Sequence, residues 1–277
     1  MSARVWATTV CSMASTHTED LRLAHLLADD ADALTMSRFR AEDLKVSIKP
    51  DETPVSEADT AVEEAVRRTL GRARPRDSIQ GEELGRTGWG PRRWIIDPVD
   101  GTKNYVRGVP VWATLIALAV EDEIVVGVVS APALGRRWWA TKGDGAYAGR
   151  SLRSAQTCQV SKVAALSEAF LSYSSPAGWV TTGRGAGFGQ LLEACGRTRA
   201  FGDFWSYMLL AEGSVDIATE PELNLHDMAA LTVIVEEAGG RFTALDGTPG
   251  PYGDNALATN GLLHDEVLGL IGDDLPE

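Results

Sequence analysis

The sequence predicts a mixed α/β fold in two parts. Residues 18–150 show two amphipathic helical patterns and then a series of β-rich runs, which is typical of an α+β domain. Residues 151–277 alternate between β-rich and helical patterns, which is typical of an α/β domain. The 277 residues are 44% hydrophobic, enough apolar material for two cores. Residues 1–17 carry only a short, broken apolar run, so we expect a disordered extension, with Met13 as an alternative start.

The first part begins with two helices and an intervening strand. Apolar residues recur at helical spacing over residues 18–40, which predicts the first helix. Residues 44–49 alternate between apolar and polar, which predicts a half-buried strand, and residues 53–56 are expected to form a loop. Ser56 precedes Asp59 by three residues, the spacing of a helix cap, so a second helix is predicted over residues 57–70.

The remainder of the first part is predicted to be an antiparallel meander beside an acidic turn. Residues 94–96 are apolar and predict a buried strand that ends at Asp97 and Asp100. The β-rich runs at 111–120, 124–131, 137–141 and 146–148 are separated by polar turns, which is typical of consecutive antiparallel strands.

The second part is predicted to alternate strands and helices. We expect strands at 169–173, 215–219, 241–244 and 256–259, and helices within 187–195, over 203–212, over 227–238 and from 262 onward. The helix that starts at Asp227 is apolar almost all round, so it should lie between two layers with its N-terminus pointing at the interior.

Composition argues against several classes of partner. The formal charge is −13 and the pI is near 4.8, with dispersed basic residues, whereas nucleic acids and anionic membranes favour clustered Lys and Arg. We therefore expect neither partner, and no apolar stretch is long enough to cross a bilayer. Cys11, Cys158 and Cys195 lie far apart without metal-type spacing, which predicts three unpaired thiols and a cytoplasmic location.

Four acidic residues stand at the ends of predicted elements. Glu82 follows a short strand, Asp97 and Asp100 end another, and Asp227 heads the apolar helix. If these acids converge, each close pair repels by about 4 kcal/mol at a separation near 4 Å and an effective dielectric constant of 20. Oxygen donors favour Mg²⁺ or Mn²⁺ over zinc, so the sequence predicts a magnesium site, to which the carbonyl of Val99 could contribute.

A phosphate-binding site, called the phosphate seat below, is predicted directly after these acids. Gly101 and Thr102 open a short helix, whose unpaired N–H groups favour an anion. A metal beside such a seat suggests hydrolysis of a phosphate ester. The alternative is purely structural: an Asx turn and a helix cap in the DPVDGT segment, a helix-dipole role for Asp59, and solvated glutamates at 82–83.

Taken together, these motifs resemble the inositol monophosphatase superfamily. The resemblance is carried by GEE at 81–83, DPVDGTKNY at 97–105, HD at 226–227 and EAGG at 237–240, in that order. It implies a layered αβαβα sandwich of the inositol monophosphatase and fructose-1,6-bisphosphatase type. It also implies two or three Mg²⁺ ions per site, with Mn²⁺ as a possible substitute, a small phosphomonoester substrate and a homodimer.

The resemblance assigns a role to each site residue. The implied metal ligands are Glu82, Asp97, the Val99 carbonyl, Asp100 and Asp227. Gly101 and Thr102 match phosphate-binding positions, and Thr102 with Asp59 matches the pair that orients or activates the attacking water. Glu82 is also implied in holding a third ion through water, and we expect it to orient the attacking water together with Thr102 and Asp59. Glu220 matches a position that contacts the organic part of the substrate.

Three further stretches look like the actinobacterial histidinol-phosphatases of this superfamily: GVPVWATLIAL at 108–118, APALGRRWWA at 131–140 and GDFWSY at 202–207. This resemblance implies hydrolysis of L-histidinol phosphate, whose ammonium and imidazole groups Asp203 and Glu220 would complement. Asp203 could instead be a helix N-cap. His226 replaces the Trp that usually precedes the metal-binding Asp; packing is its simplest role, and a contact with substrate or metal is the alternative.

Two other functions are compatible with the sequence. One is a phosphatase of the same superfamily that acts on inositol 1-phosphate, fructose 1,6-bisphosphate or a nucleotide 3′-phosphate. The other is a scaffold that keeps the fold without chemistry, which the four mutually repelling acids argue against.

Overall fold

The computed structural model describes residues 17–50 and 52–271. The described helices are α1 (Thr18–Arg38), α2 (Glu57–Ala73), α3 (Thr102–Val106), α4 (Pro176–Thr181), α5 (Gly185–Ala194), α6 (Asp203–Ala211), α7 (Leu225–Glu237) and α8 (His264–Ile271). The first ten strands are β1 (Val46–Ile48), β2 (Pro54–Ser56), β3 (Ser78–Gly81), β4 (Arg86–Thr87), β5 (Arg92–Asp100), β6 (Ala113–Val120), β7 (Glu123–Ala131), β8 (Arg136–Thr141), β9 (Ala146–Gly149) and β10 (Gln156–Thr157). The last five are β11 (Phe170–Ser172), β12 (Arg197–Arg199), β13 (Ile217–Glu220), β14 (Arg241–Thr243) and β15 (Ala256–Thr259). The expected N-terminal extension, including Met13 and Cys11, lies outside the described residues apart from its last position.

An eight-stranded sheet forms the first β layer. Its strand order is β10-β9-β8-β7-β6-β5-β3-β4, and β3 pairs with β5 in parallel while the other neighbours are antiparallel. The predicted meander is confirmed as β6 to β9. The predicted buried strand at 94–96 is the centre of the longer strand β5, whose last residue is Asp100. Strand β10 extends this sheet past residue 150, and the division into two domains near that residue stays a prediction.

A smaller sheet and three groups of helices complete the layers. The small sheet has the order β12-β11-β13-β15-β14 and mixes parallel and antiparallel pairs. Helices α1 and α2 cover one face of the large sheet, and α6 and α7 fill the space between the sheets. Helices α4, α5 and α8 cover the outer face of the small sheet. The layer order is therefore αβαβα, as predicted.

Helix α7 lies in the middle of the molecule, as its apolar sequence predicted. All residues from 228 to 235 are buried. Gly127 in β7 permits the close approach of this helix, because a Cβ at that position would lie 2.6 Å from Val233 Cγ1 and 2.7 Å from the Ala230 carbonyl oxygen. The site at the N-terminus of α7 is thus fixed by tight packing against the large sheet.

The hairpin β1–β2 differs from its prediction. Residues 46–48 form a strand, but each is exposed, and the Ile48 side chain is 67% exposed. The expectation of a half-buried strand is wrong because β1 pairs with β2 alone among the described strands and all three of its residues stay exposed. The loop expected at 53–56 contains β2. Alternating hydrophobicity predicts an extended backbone but does not say whether anything packs on it.

Three of the described helices and strands of the second part were not predicted: β10, α4 and β12. Helix α4 has Ser175 as its N-cap, whose hydroxyl accepts a hydrogen bond from the Ala177 N–H, and Pro176 at its first position. This Ser-Pro start is a recognisable helix signal that the sequence analysis missed. Strand β12 is a short edge strand parallel to β11.

The remaining described features agree with the composition. Cys158 and Cys195 are both unpaired, as expected. Across residues 17–50 and 52–271, each helix is too short or too polar to cross a membrane.

Gly127→Ala should lower the free energy of unfolding by about 1–3 kcal/mol, because the added methyl group overpacks the contact between β7 and α7. Gly71→Ala is the matched control, since a Cβ on that helical residue meets nothing within 4 Å. We expect the control to raise stability by about 0.5–1 kcal/mol. Urea denaturation measures both, and equal effects of the two variants would contradict the packing argument.

Candidate active site and metal centre

The parallel pair β3 and β5 brings the first two acids together. Gly81 and Ile96 form the last register pair between these strands, and the Glu82 N–H donates to the Ile96 carbonyl at 3.2 Å. Because parallel strands end at the same edge of a sheet, Glu82 and Asp97 emerge side by side. The sequence analysis expected this convergence without being able to specify the pairing.

A buried glutamate fixes the turn that carries Glu82. The Glu63 side chain is fully buried in α2, and its carboxylate accepts hydrogen bonds from the N–H of Glu83 at 2.7 Å and of Leu84 at 3.1 Å. A Cβ at Gly81 would lie 2.0 Å from Glu63 Oε1. Gly81 is therefore required for this close approach. Sequence analysis missed Glu63, for which the glycine before two acids was the available signal.

Two helix N-termini supply the remaining contacts. Asp227 lies in the first turn of α7 and accepts the Asn224 N–H at 2.7 Å, which closes a capping box with Asn224 as the N-cap. The Phe204 N–H in the first turn of α6 donates to Asp100 Oδ2 at 2.8 Å. The end of β5 is thus tied to a helix from the second half of the chain.

These elements place the acids in two groups that share Asp97. In the first group, Asp97, Asp100 and Asp227 each contribute one carboxylate oxygen, and these three oxygens lie within 4.8 Å of one another. An oxygen of Glu82, an oxygen of Asp97 and a ring nitrogen of His226 form the second group within the same limit. Carboxylate oxygens in this number and spacing fit hard divalent cations, and Asp97 is positioned to serve both groups.

The electrostatics of the site call for positive charge. Burial raises the pKa of Asp97 well above its usual range, and repulsion from Glu82, Asp100 and Asp227 raises it further. Burial and the charges of neighbouring acids likewise raise the pKa of Asp100. Such shifts mean that collecting ionised carboxylates here costs free energy, which a bound cation offsets.

Lys49 supplies some of the compensating charge. It lies in the turn between β1 and β2, and its Nζ donates to Glu82 Oε1 at 2.7 Å and to Glu83 Oε1 at 2.6 Å. Burial lowers the pKa of Lys49, but the two hydrogen bonds and the carboxylate charges outweigh burial and raise it overall. Lys49 was not predicted as a site residue, because its partners are more than 30 residues away in the chain.

Asp59 combines the two roles that the sequence left open. Its Oδ2 accepts hydrogen bonds from the Ser56 N–H at 2.9 Å and the Ser56 hydroxyl at 2.6 Å, which is the predicted cap of α2. Its Oδ1 lies 3.2 Å from Thr102 Oγ1, which also lies 2.8 Å from the Val99 carbonyl oxygen. Burial raises the pKa of Asp59. Asp59 is therefore a helix cap that also contacts the predicted phosphate seat.

A cavity of about 330 Å³ opens beside the acids. On its far wall the Asp203 N–H donates to Ser174 Oγ at 2.9 Å, and the Ser174 hydroxyl donates to Glu220 Oε1 at 2.7 Å. Asn104 Nδ2 donates to Asp203 Oδ2 at 3.1 Å. Burial raises the pKa of Glu220 to about 8. This wall is a hydrogen-bonded acidic surface that adjoins the metal groups, since the N–H of Phe204, the residue after Asp203, donates to Asp100.

Asp203 is held in an unusual backbone conformation. Its φ is +49°, in the left-handed region, and the N-cap of α6 is Gly202, so the alternative of Asp203 as N-cap is wrong. A non-glycine residue in this region costs of order 1–3 kcal/mol, which packing at the site must offset. The conformation directs the Asp203 carboxylate towards Asn104.

The structure brings the predicted site residues to one place. The cavity is lined by Glu82, Asp100, Gly101, Thr102, Asp203, Glu220, His226 and Asp227. The other three predicted residues, Asp59, Asp97 and Val99, lie buried directly behind this lining. His226 lies with the metal groups, and its Nε2 is 3.6 Å from Asp227 Oδ1. The roles of all these residues stay predictions.

Comparison with known proteins identifies the family. The model of the inositol monophosphatase family matches residues 17–272. The chain is 64% identical over 257 residues to a histidinol-phosphatase of Streptomyces coelicolor, covering 91% of this chain and 97% of that protein. It is 57% identical over 251 residues to a histidinol-phosphatase of Mycobacterium tuberculosis, covering 90% and 96% respectively. The solved structure of an inositol monophosphatase from Zymomonas mobilis superposes with a TM-score of 0.82 at 32% identity, covering 94% of this chain and 100% of that one. The chain therefore belongs to the inositol monophosphatase family, as its motifs predicted.

Proposed function

We propose that this protein is a Mg²⁺-dependent phosphomonoesterase that hydrolyses L-histidinol phosphate to L-histidinol and phosphate. The observation that carries the proposal is the pairing of a shared metal site at Asp97 with an acidic wall at Asp203 and Glu220 across one cavity. The two histidinol-phosphatases that share 64% and 57% identity with the chain support it. A homodimer and a cytoplasmic location remain part of the proposal.

The metal groups fit two Mg²⁺ ions. Glu82 and Asp97, with the Val99 carbonyl, would hold one ion, and Asp97, Asp100 and Asp227 would hold the other. A third ion held through water near Glu82, and substitution by Mn²⁺, are compatible with the same oxygen donors. Bound Mg²⁺ supplies positive charge that lowers the pKa of water and stabilises the negative oxygens of the reacting phosphate.

The chain's own groups bind the phosphate and orient the nucleophile. The first N–H groups of α3, next to Gly101 and Thr102, lack acceptors within the helix and favour an anion. The Thr102 hydroxyl lies between Asp59 and the Val99 carbonyl, so its oxygen is fixed in orientation. In this position Thr102 orients a water molecule. As the water gives a proton to Thr102 Oγ1, the Thr102 hydroxyl proton passes to Asp59 Oδ1, and the oxygen that leaves the phosphorus takes a proton from solvent.

The acidic wall selects the organic part of the substrate. The ammonium group of histidinol phosphate would donate hydrogen bonds to Asp203 and Glu220, and its positive charge would favour the ionised form of Glu220, whose pKa burial raises to about 8. A charge-assisted hydrogen bond of this kind contributes about 1.5–3 kcal/mol. Inositol 1-phosphate is the second candidate substrate, because its hydroxyl groups can donate to the same carboxylates and a solved inositol monophosphatase shares the fold. Its hydroxyl groups carry no charge, so they gain less from an acidic wall.

A phosphate-release panel tests the proposed function. We expect EDTA-treated protein to be inactive, and added Mg²⁺ to restore hydrolysis with the highest kcat/KM on histidinol phosphate. The comparison substrates are inositol 1-phosphate, fructose 1,6-bisphosphate and a nucleotide 3′-phosphate. A higher kcat/KM on any of these would reject histidinol phosphate as the substrate, and activity that survives EDTA would reject the metal requirement.

Asp203→Asn tests the acidic wall while leaving every proposed metal ligand in place. Asn tolerates the left-handed backbone and keeps an oxygen for the Asn104 amide, so the fold should be unchanged. We expect kcat/KM to fall about tenfold on histidinol phosphate, the difference between a charge-assisted and a neutral hydrogen bond, and by less than about threefold on inositol 1-phosphate.

The matched control is Asp122→Asn, which removes the same charge at an exposed turn between β6 and β7. It should leave both substrates unaffected. If Asp203→Asn lowered kcat/KM equally on histidinol phosphate and inositol 1-phosphate, Asp203 would not recognise a cationic group.

A further inference from the structure

Tyr207 has a buried hydroxyl group that the structure leaves without a hydrogen-bond partner. Seven buried side-chain polar atoms in the described residues share this property: His25 Nε2, Asp32 Oδ1, Arg93 Nε, Trp112 Nε1, Thr141 Oγ1, Trp179 Nε1 and Tyr207 Oη. Among them, Tyr207 alone belongs to a residue that lines the active-site cavity. An unpaired buried hydroxyl costs about 1–3 kcal/mol, so its position at a binding cavity calls for an explanation.

The position of Tyr207 relates it to the acidic wall. Tyr207 follows Asp203 by one helical turn in α6, so the two side chains lie on the same face of the helix. Its ring packs against Phe242 with the centroids 5.7 Å apart, which anchors the ring in the core between the sheets. The hydroxyl end is therefore the part of Tyr207 that can meet a ligand.

The Tyr207 hydroxyl lies in an environment of carboxylates. Burial raises the pKa of Tyr207 well above its usual range, and the nearby carboxylates raise it further, with Glu220 contributing more than Asp227 or Asp100. The hydroxyl thus keeps its proton, and Glu220 is the carboxylate whose charge acts on it most strongly. This O–H adds a hydrogen-bond donor beside Glu220, whose Oε1 already accepts the Ser174 hydroxyl.

We propose that Tyr207 is a substrate-recognition residue, whose hydroxyl donates a hydrogen bond to an acceptor atom in the organic part of the substrate. The inference rests on the proposed function for the identity of that atom: in histidinol phosphate it is the unprotonated nitrogen of the neutral imidazole ring. Asp203 and Glu220 then recognise the cationic group while Tyr207 recognises the neutral acceptor. The unpaired hydroxyl is explained as a donor held ready for the ligand.

Tyr207→Phe removes the hydroxyl and keeps the ring. We expect kcat/KM on histidinol phosphate to fall about 2- to 12-fold, the range of one neutral hydrogen bond. On phenyl phosphate, whose organic part has no acceptor, kcat/KM should be unchanged. The melting temperature should stay equal or rise, because the variant loses an unpaired buried hydroxyl rather than a hydrogen bond.

Thr141→Val is the matched control, since it also removes a buried unpaired hydroxyl but lies outside the cavity lining. It should leave kcat/KM on both substrates unchanged. The proposal is overturned if Tyr207→Phe leaves kcat/KM on histidinol phosphate unchanged, because the hydroxyl would then bind a buried water instead. It is also overturned if kcat/KM falls equally on histidinol phosphate and phenyl phosphate, which would indicate general damage to the site.

The Tyr207→Phe test remains decisive even if histidinol phosphate is not the substrate. If the wild-type protein fails on histidinol phosphate but hydrolyses inositol 1-phosphate, the proposed substrate is wrong. Hydroxyl oxygens of inositol 1-phosphate also accept hydrogen bonds. The role of Tyr207 is then decided by comparing the loss of kcat/KM in Tyr207→Phe on inositol 1-phosphate with the loss on phenyl phosphate. A selective loss on inositol 1-phosphate supports that role, and an equal loss on both substrates overturns it.

Discussion

Repulsion among the buried carboxylates around Asp97 is the constraint on which the site depends. Asp97 is almost completely buried and contributes to two groups of ligand atoms, each within 4.8 Å. At such distances each pair of ionised acids repels by a few kcal/mol, about 4 kcal/mol at 4 Å with an effective dielectric constant of 20. A fold that holds these acids together must supply both rigid supports and positive charge.

The supports come from elements that are themselves fixed by packing. The parallel ends of β3 and β5 set Glu82 beside Asp97, and the buried Glu63 carboxylate holds the turn that follows β3. Helix α7 is pressed against the large sheet at Gly127, which fixes Asp227. The positive charge comes partly from Lys49, and the remainder is the role that we assign to Mg²⁺.

Local sequence patterns predicted the features that depend on local physics. The helical period of α1 and α2, the alternating runs of the meander and the uniformly apolar α7 each determine burial within one element, so these were predictable. The site acids were predictable as a set, because several short motifs in the right order specify a family. Asp59 shows the limit of spacing alone: its cap was evident in the sequence, whereas its contact with Thr102 is a tertiary contact.

Other features depend on contacts between distant residues and could not be predicted. Lys49 approaches Glu82 through the hairpin β1–β2, whose exposure no periodicity indicates. Glu63 and Tyr207 look like ordinary helical residues until the neighbouring strands are in place. The left-handed backbone of Asp203 follows from its packing beside Ser174 and Asn104, so a simple N-cap was the natural but wrong alternative.

The central claim is that a cation resolves the repulsion around Asp97. The most direct test is thermal unfolding of the wild-type protein and of Asp97→Asn at pH 8, each in EDTA and in excess Mg²⁺. In EDTA the variant should melt at a higher temperature, because it loses repulsion but keeps the oxygen that accepts the Val99 N–H at 3.0 Å. Mg²⁺ should raise the melting temperature of the wild type and leave that of the variant nearly unchanged. The account would be contradicted if Asp97→Asn melted at a lower temperature than the wild type in EDTA and if Mg²⁺ raised its melting temperature as much as that of the wild type.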